Sequence, residues 1–253
     1  EPQLLGLLCM RGVTGGNAIG KFVLIGDHKQ LPAVVLQSSE QSEIQDEGLR
    51  GIGLHNLKDS LFERLYRFHL QEEHCRAVDM LCRQGRMHPG VASFPNREFY
   101  AGKLEALGLP HQLENVDAPV RFIPSERDTE SVSGKTSRNE ARIVAQLAAD
   151  VYHLYKETFE VNRTLGVITP YRSQIALIRK EIQALGISAL NEISVDTVER
   201  YQGSERDVII YSFCVNYLYQ LKFLPNLTEE NGVWIDRKLN VALTRARRQL
   251  YIT

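Results

Sequence analysis

Helix-like segments that alternate with short apolar runs limit how this chain can fold more than any other feature of its sequence. Three apolar runs have the length and composition of buried strands, and each lies beside a longer stretch with helical spacing. The runs span residues 120–123, 165–169 and 208–213, and the helical stretches span residues 140–155, 173–184 and 237–246. Strands that alternate with helices in this way form parallel β-α units. The sequence therefore predicts an α/β fold with a mainly parallel sheet.

Polar residues follow several of the predicted strands. A strand at residues 21–25 leads into Gly26 and Asp27, the strand at 165–169 ends in Thr169-Pro170-Tyr171, and a strand at 193–195 leads into Asp196 and Thr197. In open parallel sheets, ligands bind at the carboxyl ends of the strands. Ordinary turn chemistry explains any one of these groups alone, whereas the set predicts a functional rim.

The composition excludes some functional classes. The chain has 253 residues, a formal net charge of −1, 43% hydrophobic residues and 24% charged residues, which is typical of a folded globular protein. This charge excludes a strongly basic coat for nucleic acid but allows a local basic strip. No apolar run approaches the ~20 residues that span a bilayer, so we expect no membrane segment.

The cysteines indicate the redox environment. They stand at positions 9, 75, 82 and 214, without a Cys-x-x-Cys pair. This spacing argues against a zinc site or a disulfide framework. Because reduced thiols are typical of the cell interior, we expect a cytoplasmic or otherwise intracellular protein.

An apolar run at residues 239–247 carries Arg245 and Arg247, which have the chemistry to bind phosphates. The Gly-x-x-x-x-Gly-Lys-Ser/Thr loop that would hold a nucleotide's phosphates does not occur in this sequence. Residues 133–136 read Ser-Gly-Lys-Thr, but Thr129 stands where the first glycine is required. The chain also opens without Met and stops directly after a strand-like segment. We therefore expect the rear half of a nucleotide-driven motor, cut from a longer protein.

Other polar residues are expected to have structural roles. Ser60 with Glu63, and Ser137 with Glu140, have the spacing of capping boxes at helix starts. His88, next to a proline, is also predicted to start a helix.

Two further predictions concern the last part of the chain. Arg247 and Arg248 are predicted to lie at a solvated helix end, where they complement the helix dipole. Trp234 is predicted to pack under the polar loop at residues 226–231, with stacking on a nucleic-acid base as the alternative.

Five segments resemble, in order and spacing, the motifs of the superfamily 1 helicases. They are Gly26-Asp27-x-x-Gln30-Leu31-Pro32, Arg86-Met87-His88-Pro89, Thr169-Pro170-Tyr171-Arg172-x-Gln174, residues 195–210 and residues 240–247. The segments lie between residues 26 and 247, so the resemblance extends over nearly the whole chain. The resemblance is to the branch that includes RNA-surveillance helicases and the nuclease-helicases of DNA replication.

This resemblance implies a RecA-like fold of the P-loop NTPase type. Residues 1–70 would be the C-terminal remnant of a first RecA-like domain, and residues 71–253 would be the second. The phosphate loop and the magnesium-binding motif would lie upstream, so ATP and Mg²⁺ would be bound mainly there. The implied function is the C-terminal motor half of an ATP-dependent DNA or RNA helicase, inactive as an isolated fragment. Its partners would be single-stranded DNA or RNA and its own upstream RecA-like domain, with no membrane.

Two other functions remain open at this point. The chain could be a non-enzymatic nucleic-acid-binding or regulatory RecA-like module, or an unrelated α/β nucleotide hydrolase. Retained phosphate-binding arginines argue against the first, because a decayed motor has no physical reason to keep them. The lack of a phosphate loop in the sequence argues against the second.

The resemblance also implies roles for single residues. Arg86 and Arg245 would be arginine fingers that stabilise charge on the transferred phosphoryl group, and Gln30 would couple the γ-phosphate to the cleft between domains. Arginine suits this role because its planar donors match phosphate oxygens.

Further residues would contact the nucleotide or the nucleic acid. Those facing the nucleotide would be Gly26, Asp27, Gly203 and Glu205. Those contacting the nucleic-acid backbone, or relaying its presence, would be Thr169, Pro170, Tyr171, Gln174, Thr197 and Gln202. One residue departs from the family pattern: Gly85 stands where an aromatic side chain usually stacks on adenine, which puts selectivity for adenine in doubt.

Overall fold

The structure is a computed structural model that describes residues 6–71, 77–230 and 232–253. By their contacts, the residues form two compact units. The first comprises Glu1–His28 and Pro32–Met80, and the second comprises Lys29–Leu31 and Leu81–Thr253. The assignment of residues 1–70 to a first RecA-like domain stays a prediction.

Short helices form the regular structure of the first unit. They are Ser39–Ser42 (α1), Glu47–Gly51 (α2) and Leu61–Gln71 (α3). Helix α3 begins where the sequence predicts, because the Ser60 hydroxyl accepts a hydrogen bond from the Glu63 backbone N–H at 3.1 Å. One turn later Arg67 forms an ion pair with Glu63 at 2.6 Å.

The predicted strand at residues 21–25 is wrong. These residues have no regular secondary structure, and the side chains of Val23 and Ile25 are 75% and 85% exposed. An apolar run becomes a strand only when another strand pairs with its backbone, and no strand in the described ranges pairs with this one. Gly26 and Asp27 therefore do not follow a strand end.

A parallel sheet organises the second unit. A small parallel pair, Arg83–Gln84 (β1) and Glu105–Ala106 (β2), precedes it in the chain. The main sheet consists of Val120–Phe122 (β3), Leu165–Ile168 (β4), Ser194–Asp196 (β5), Arg206–Tyr211 (β6) and a last strand, Ala246–Ile252. An antiparallel hairpin, Leu227–Glu230 (β7) and Val233–Asp236 (β8), lies between β6 and that last strand, which is β9. The order in the main sheet is β3-β9-β6-β4-β5, and every neighbouring pair is parallel.

Helices connect these strands. They are Pro89–Tyr100 (α4), Pro110–Leu113 (α5), Arg138–Leu154 (α6), Arg172–Ala184 (α7), Ser188–Asn191 (α8), Val198–Tyr201 (α9) and Arg237–Leu243 (α10). None of the helices in the described ranges is long and apolar enough to cross a bilayer.

Both faces of the main sheet are buried. In β6, Val208 and Ile210 join a core cluster that contains α6 and α7, whereas Ile209 and Tyr211 join a second cluster that contains α4, α9 and α10. This alternation follows from the two-residue period of a strand. Because helices cover both faces of an all-parallel sheet, the predicted α/β class is confirmed.

Most predicted elements of the second unit appear with small shifts at their ends, and the largest shift is at α10. This helix stops at Leu243, where the Thr244 hydroxyl donates back to the carbonyl of Asn240 at 2.8 Å. Arg247 and Arg248 consequently lie on β9, so their predicted place at a helix end is wrong. The prediction for Trp234 is also wrong, because its side chain on β8 is 64% exposed.

Candidate functional site

The amino-terminal ends of β6 and β9 lie side by side. Arg206 and Ala246, the first residues of these strands, are register partners, and the Arg206 N–H donates to the carbonyl of Arg245 at 3.0 Å. Each strand is preceded by a short link, which carries Ser204 and Glu205 before β6 and Thr244 and Arg245 before β9. The strand pairing therefore places these two links next to each other.

Arg245 is held rigidly in its link. The residue is 1% exposed, and its guanidinium donates to the Val241 carbonyl and the Thr244 hydroxyl, both at 3.0 Å. The same group donates at 3.4 Å to the Ser204 carbonyl and to Oε1 of Gln30. The structure thus brings two predicted site residues, Arg245 and Gln30, into contact.

Arg86 reaches the same place from the segment before α4. Its Nε donates to Oε2 of Glu205 at 2.6 Å, and its Nη1 donates to the Thr244 carbonyl at 3.5 Å. Because Arg245 contacts the Thr244 hydroxyl, the two predicted arginine fingers meet at one residue. The Arg86 side chain is 34% exposed, so it is far more accessible than Arg245.

Positive charge exceeds negative charge in this cluster. The carboxylate of Glu205 faces Arg86 and, at 3.4 Å, Nε of Arg247. Burial raises the pKa of Glu205, but its hydrogen bond with Arg86 and the charges of Arg86, Arg247 and Arg245 outweigh burial and lower the pKa. Arg247 also pairs with Asp207 at 2.9 Å. Such a set of guanidinium groups can bind a further anion.

Two side chains outside the predicted site position Arg86. Oε1 of Gln84 accepts from the backbone N–H groups of Arg86 and Met87 at 3.0 and 2.7 Å. Nε2 of His111 lies 2.8 Å from the Arg86 carbonyl, which places the proton on Nε2 and leaves Nδ1 to accept from Arg247 at 3.4 Å. Neither residue was predicted from the sequence, because neither lies in one of the five helicase-like segments.

His88 has the structural role predicted for it. Its side chain caps α4, with Nδ1 accepting from the Gly90 N–H at 3.1 Å.

The neighbouring Gly85 cannot be replaced by an aromatic residue without displacing its surroundings. A Cβ there would lie 3.1 Å from Leu107 and 3.2 Å from Leu109.

The segment Lys29–Leu31 is anchored on both sides of Gln30. Nδ2 of Asn240 donates to the Lys29 carbonyl at 2.8 Å, and Nε2 of Gln202 donates to the Leu31 carbonyl at 2.9 Å. Asn240 is fully buried, so its side chain acts on the backbone of this segment. Asn240 begins the helicase-like segment at residues 240–247, but its role was not predicted from the sequence.

The glycines predicted to face the nucleotide lie in different units. Gly203 turns the chain between α9 and β6 with φ of +85°, and nothing lies within 4 Å of the position a Cβ would take. Gly26 and Asp27 lie in the first unit, where a Cβ on Gly26 would be 3.1 Å from the ring of Phe62.

The residues predicted to contact nucleic acid mostly follow the opposite, carboxyl ends of the strands. Thr169, Pro170 and Tyr171 follow β4, and Thr197 follows β5, whereas Gln202 lies at the amino end of β6. Pro170, Tyr171 and Thr197 are partly exposed. Thr169 is fully buried, and its hydroxyl has no hydrogen-bond partner among the described residues.

Gln174 is also fully buried. Its Oε1 accepts from the Ser137 N–H at 2.9 Å, and its Nε2 donates to the Ser137 carbonyl at 3.0 Å. Any effect of Gln174 on nucleic acid must therefore act through the start of α6. Ser137 also caps that helix, with its hydroxyl accepting from the Glu140 N–H at 3.2 Å. The predicted capping box is not formed, because the Ser137 N–H donates to Gln174 and not to the Glu140 side chain.

Glu140 is part of a buried network at the carboxyl ends of β6 and β9. Its Oε1 accepts, at 2.9 Å each, from the Ser212 hydroxyl, the Cys214 N–H and the Thr253 hydroxyl. Burial raises the pKa of Glu140. The carboxylate of Glu140 thus joins the ends of β6 and β9 to the start of α6. The sequence predicted the helix start but not this role.

The described residues contain no group of three or more His, Cys, Asp or Glu side chains that could hold a metal ion. The arginine cluster is thus not accompanied by a metal site within these ranges.

Comparisons with known proteins identify the family. Residues 57–253 match the family model described as an AAA domain. The chain is 30% identical to DNA polymerase alpha-associated DNA helicase A of Saccharomyces cerevisiae, over 93% of this chain and 34% of that protein. It is 32% identical to Helicase sen1 of Schizosaccharomyces pombe, over 92% of this chain and 13% of that protein.

A third relative extends the match to a nuclease-helicase. The chain is 31% identical to the DNA replication ATP-dependent helicase/nuclease DNA2 of Xenopus laevis, over 91% of this chain. It spans 22% of that protein's length, so in all three cases it matches a minor part of a larger protein. The chain belongs to the superfamily 1 helicases, in the branch of Sen1 and DNA2, and contains a RecA-like domain of the AAA family.

Proposed function

We propose that this chain is the C-terminal motor half of an ATP-dependent DNA or RNA helicase, and that Arg86 and Arg245 are its arginine fingers. The observation that carries this proposal is their meeting at Thr244, although they are far apart in sequence. Gln30, which accepts from Arg245, would report on the nucleotide's terminal phosphate.

The chemistry of the cluster fits a phosphate better than a metal ion. Guanidinium groups donate in a planar fork that matches phosphate oxygens. The loop at Gly203 has open space beside it. The ligands for Mg²⁺ would, on this proposal, come from an upstream RecA-like domain.

The two arginines would work differently. When bound, ATP supplies the phosphoryl group whose developing negative charge arginine fingers stabilise. Arg245 is fixed by four acceptors, so its guanidinium is already oriented. Arg86 is partly exposed and bonded to Glu205, and it would exchange this carboxylate for a phosphate oxygen.

The segment from Thr197 to Glu205 offers a physical link from nucleic acid to nucleotide. It starts at the carboxyl end of β5, where the Thr169 N–H donates to the Asp196 carbonyl at 3.1 Å, and returns through α9 to the amino end of β6. At that end Gln202 holds the Leu31 carbonyl, next to Gln30. A strand bound at the first end would thereby influence the arginine cluster at the other.

The proposal is tested in the intact helicase by Arg245→Lys. Lysine keeps the charge but cannot donate in a fork, so we expect ATP turnover at saturating ATP to fall by about 10³-fold. The affinity for ATP should change far less, because the interaction is made mainly in the transition state. The measurement is steady-state hydrolysis with single-stranded DNA or RNA present.

A matched control is Arg142→Lys, on the exposed side of α6, which should leave turnover unchanged. Equal and modest losses of turnover and affinity in Arg245→Lys would show that Arg245 is structural. No ATP turnover in the intact wild-type protein would instead favour the alternative, a non-enzymatic nucleic-acid-binding or regulatory module. The 253-residue chain alone should show negligible ATP hydrolysis, since its sequence has no phosphate loop.

A further inference from the structure

A stacked pair of tyrosines with an arginine lies outside the helicase motifs, at the start of the 3-10 helix Leu218–Lys222. The rings of Tyr217 and Tyr219 are 5.5 Å apart between centroids and 23° from parallel. The guanidinium carbon of Arg127 lies 4.1 Å from the centroid of the Tyr217 ring. Tyr219 is 56% exposed and Arg127 is also exposed. We call these three side chains the tyrosine platform.

We infer that the tyrosine platform binds unpaired bases of single-stranded nucleic acid by stacking. Bases stack on aromatic rings and on guanidinium planes, and such contacts tolerate any base sequence. This inference rests on the proposed function and extends it, by adding a contact that no helicase motif contains.

Buried amides hold the platform in place. Oε1 of Gln220 accepts from the N–H groups of Asn216 and Tyr217 at 2.9 Å each, and its Nε2 donates to the Gly134 carbonyl at 2.9 Å. Oδ1 of Asn216 accepts from the Asp128 N–H at 3.0 Å, next to Arg127. The loops that carry the platform are therefore fixed before any ligand arrives, which lowers the entropy cost of binding.

A close approach of backbone to ring also supports the platform. Gly134 has φ of +66°, and a Cβ there would lie 3.3 Å from the ring of Tyr217. Both constraints favour glycine at this position. The ring of Tyr217 thus rests on the backbone at residue 134, while Tyr219 offers its ring to solvent.

The platform is continuous with a residue already assigned to nucleic acid. Nε2 of Gln220 lies 3.3 Å from the hydroxyl of Tyr171, at the carboxyl end of β4. One strand lying along this edge would therefore meet Tyr171 and the platform in succession.

The charges around the platform favour a polyanion. Arg138 pairs with both Asp128 and Glu130, at 3.1 and 2.5 Å, and so offsets one of these two negative charges. Lys135 and Arg172 are both exposed. They lie near each other, because the hydroxyl of Ser173, the residue after Arg172, donates to the Lys135 carbonyl at 2.9 Å. Four cations, Arg127, Lys135, Arg138 and Arg172, therefore stand against three acids, Glu126, Asp128 and Glu130, so the surface around the platform keeps a small excess of positive charge.

The test compares the affinity of fluorescein-labelled oligo-dT and oligo-U for the 253-residue chain and its variants, by fluorescence anisotropy. Tyr219→Ala should weaken binding by about fivefold to a hundredfold, the range measured when one stacking contact is lost. Tyr219→Phe should retain the affinity, because the ring remains. Phe122→Ala, which removes an exposed aromatic ring from β3, should leave binding unchanged.

A second variant measures the charge. In Arg127→Ala the affinity should depend less on salt: the negative slope of log affinity against log salt concentration should become less steep by about 0.7, the value for one contact with a single-stranded phosphate. Unchanged affinity in Tyr219→Ala, while the wild-type chain binds, would overturn the platform alone and favour a protein partner for the exposed Leu218 and Phe223. Failure of the wild-type chain to bind either oligonucleotide would overturn both the platform and the nucleic-acid part of the proposed function.

Discussion

The two ends of the main sheet in the second unit use charged residues in opposite ways. At the amino ends of β6 and β9, the guanidinium groups of Arg86, Arg245 and Arg247 face the carboxylate of Glu205, and Arg247 also pairs with Asp207. That carboxylate is 44% exposed. At the carboxyl ends of the same two strands, Glu140 is 2% exposed and accepts three hydrogen bonds from neutral donors.

This difference separates the proposed phosphate-binding site from a structural support. Buried polar groups are tolerated when their partners are all within the protein, as they are around Glu140. The arginine cluster instead keeps cations in excess and leaves Arg86 accessible. Such an arrangement gains its full stabilisation only when another anion arrives.

The largest expected effect follows from replacing Arg86. In the intact helicase, Arg86→Ala should lower ATP turnover by about 10³-fold, because one arginine finger is lost. The free energy of unfolding should fall by less than about 1 kcal/mol, since the pair with Glu205 is partly exposed. Steady-state hydrolysis and denaturant unfolding measure the two quantities on the same preparation.

The control for Arg86→Ala is Arg163→Ala, which removes an exposed arginine that pairs with Glu160 at 3.4 Å and lies 3.8 Å from Asp207. It should change neither quantity much. A loss of stability without a loss of turnover in Arg86→Ala would remove the distinction between the two ends of the sheet.

A smaller effect, of the opposite kind, is expected at Glu140. Glu140→Ala leaves the buried N–H of Cys214 without an acceptor, so the free energy of unfolding should fall by about 2 kcal/mol. The measurement is urea unfolding of the 253-residue chain, followed by circular dichroism. Nucleic-acid affinity at a temperature where the variant is folded should stay close to that of the wild type, and its loss there would make Glu140 part of the binding site.

Local patterns in the sequence predicted much of the fold. The strands of the main sheet and helices α6, α7 and α10 follow from period and composition, whereas the β1–β2 pair and the β7–β8 hairpin were not predicted. The starts of α3, α4 and α6 follow from Ser60, His88 and Ser137. The strand at residues 21–25 failed for a physical reason. Its composition is that of a strand, but a strand also needs a neighbour, and a local pattern does not contain that information.

The site was predictable only where residues lie in motifs. The family resemblance named Arg86, Arg245 and Gln30, and their convergence depends on the pairing of β6 with β9. His111 and Gln84 were not predicted, because both act on backbone atoms of Arg86. His111 is distant in sequence, and Gln84 lies just before the motif that contains Arg86. The resemblance also named Gln174, but burial and hydrogen bonds to Ser137 decide what its side chain can reach.

The smallest effect is a change in the pH dependence of stability in Glu140→Gln. Burial raises the pKa of Glu140 above its ordinary value of 4.5. As the pH rises from that value, the unfolded chain loses this proton before the folded chain does. The wild type should therefore lose stability relative to Glu140→Gln by about 1.4 kcal/mol per pH unit, until the raised pKa is passed.

The difference between the two proteins isolates Glu140 from other titrating groups. Arg138 holds the pKa of Asp128 well below its usual range, so Asp128 stabilises the folded state above that range and the stabilisation is lost as the pH falls. This contribution is common to both proteins and cancels. Urea unfolding of both, from about pH 4 to about pH 8, gives the difference directly. If the gap between Glu140→Gln and wild type stays constant with pH, Glu140 titrates alike in the folded and unfolded chains. Its carboxylate would then be no more desolvated than the exposed carboxylate of Glu205, and the contrast between the two ends of the sheet would disappear.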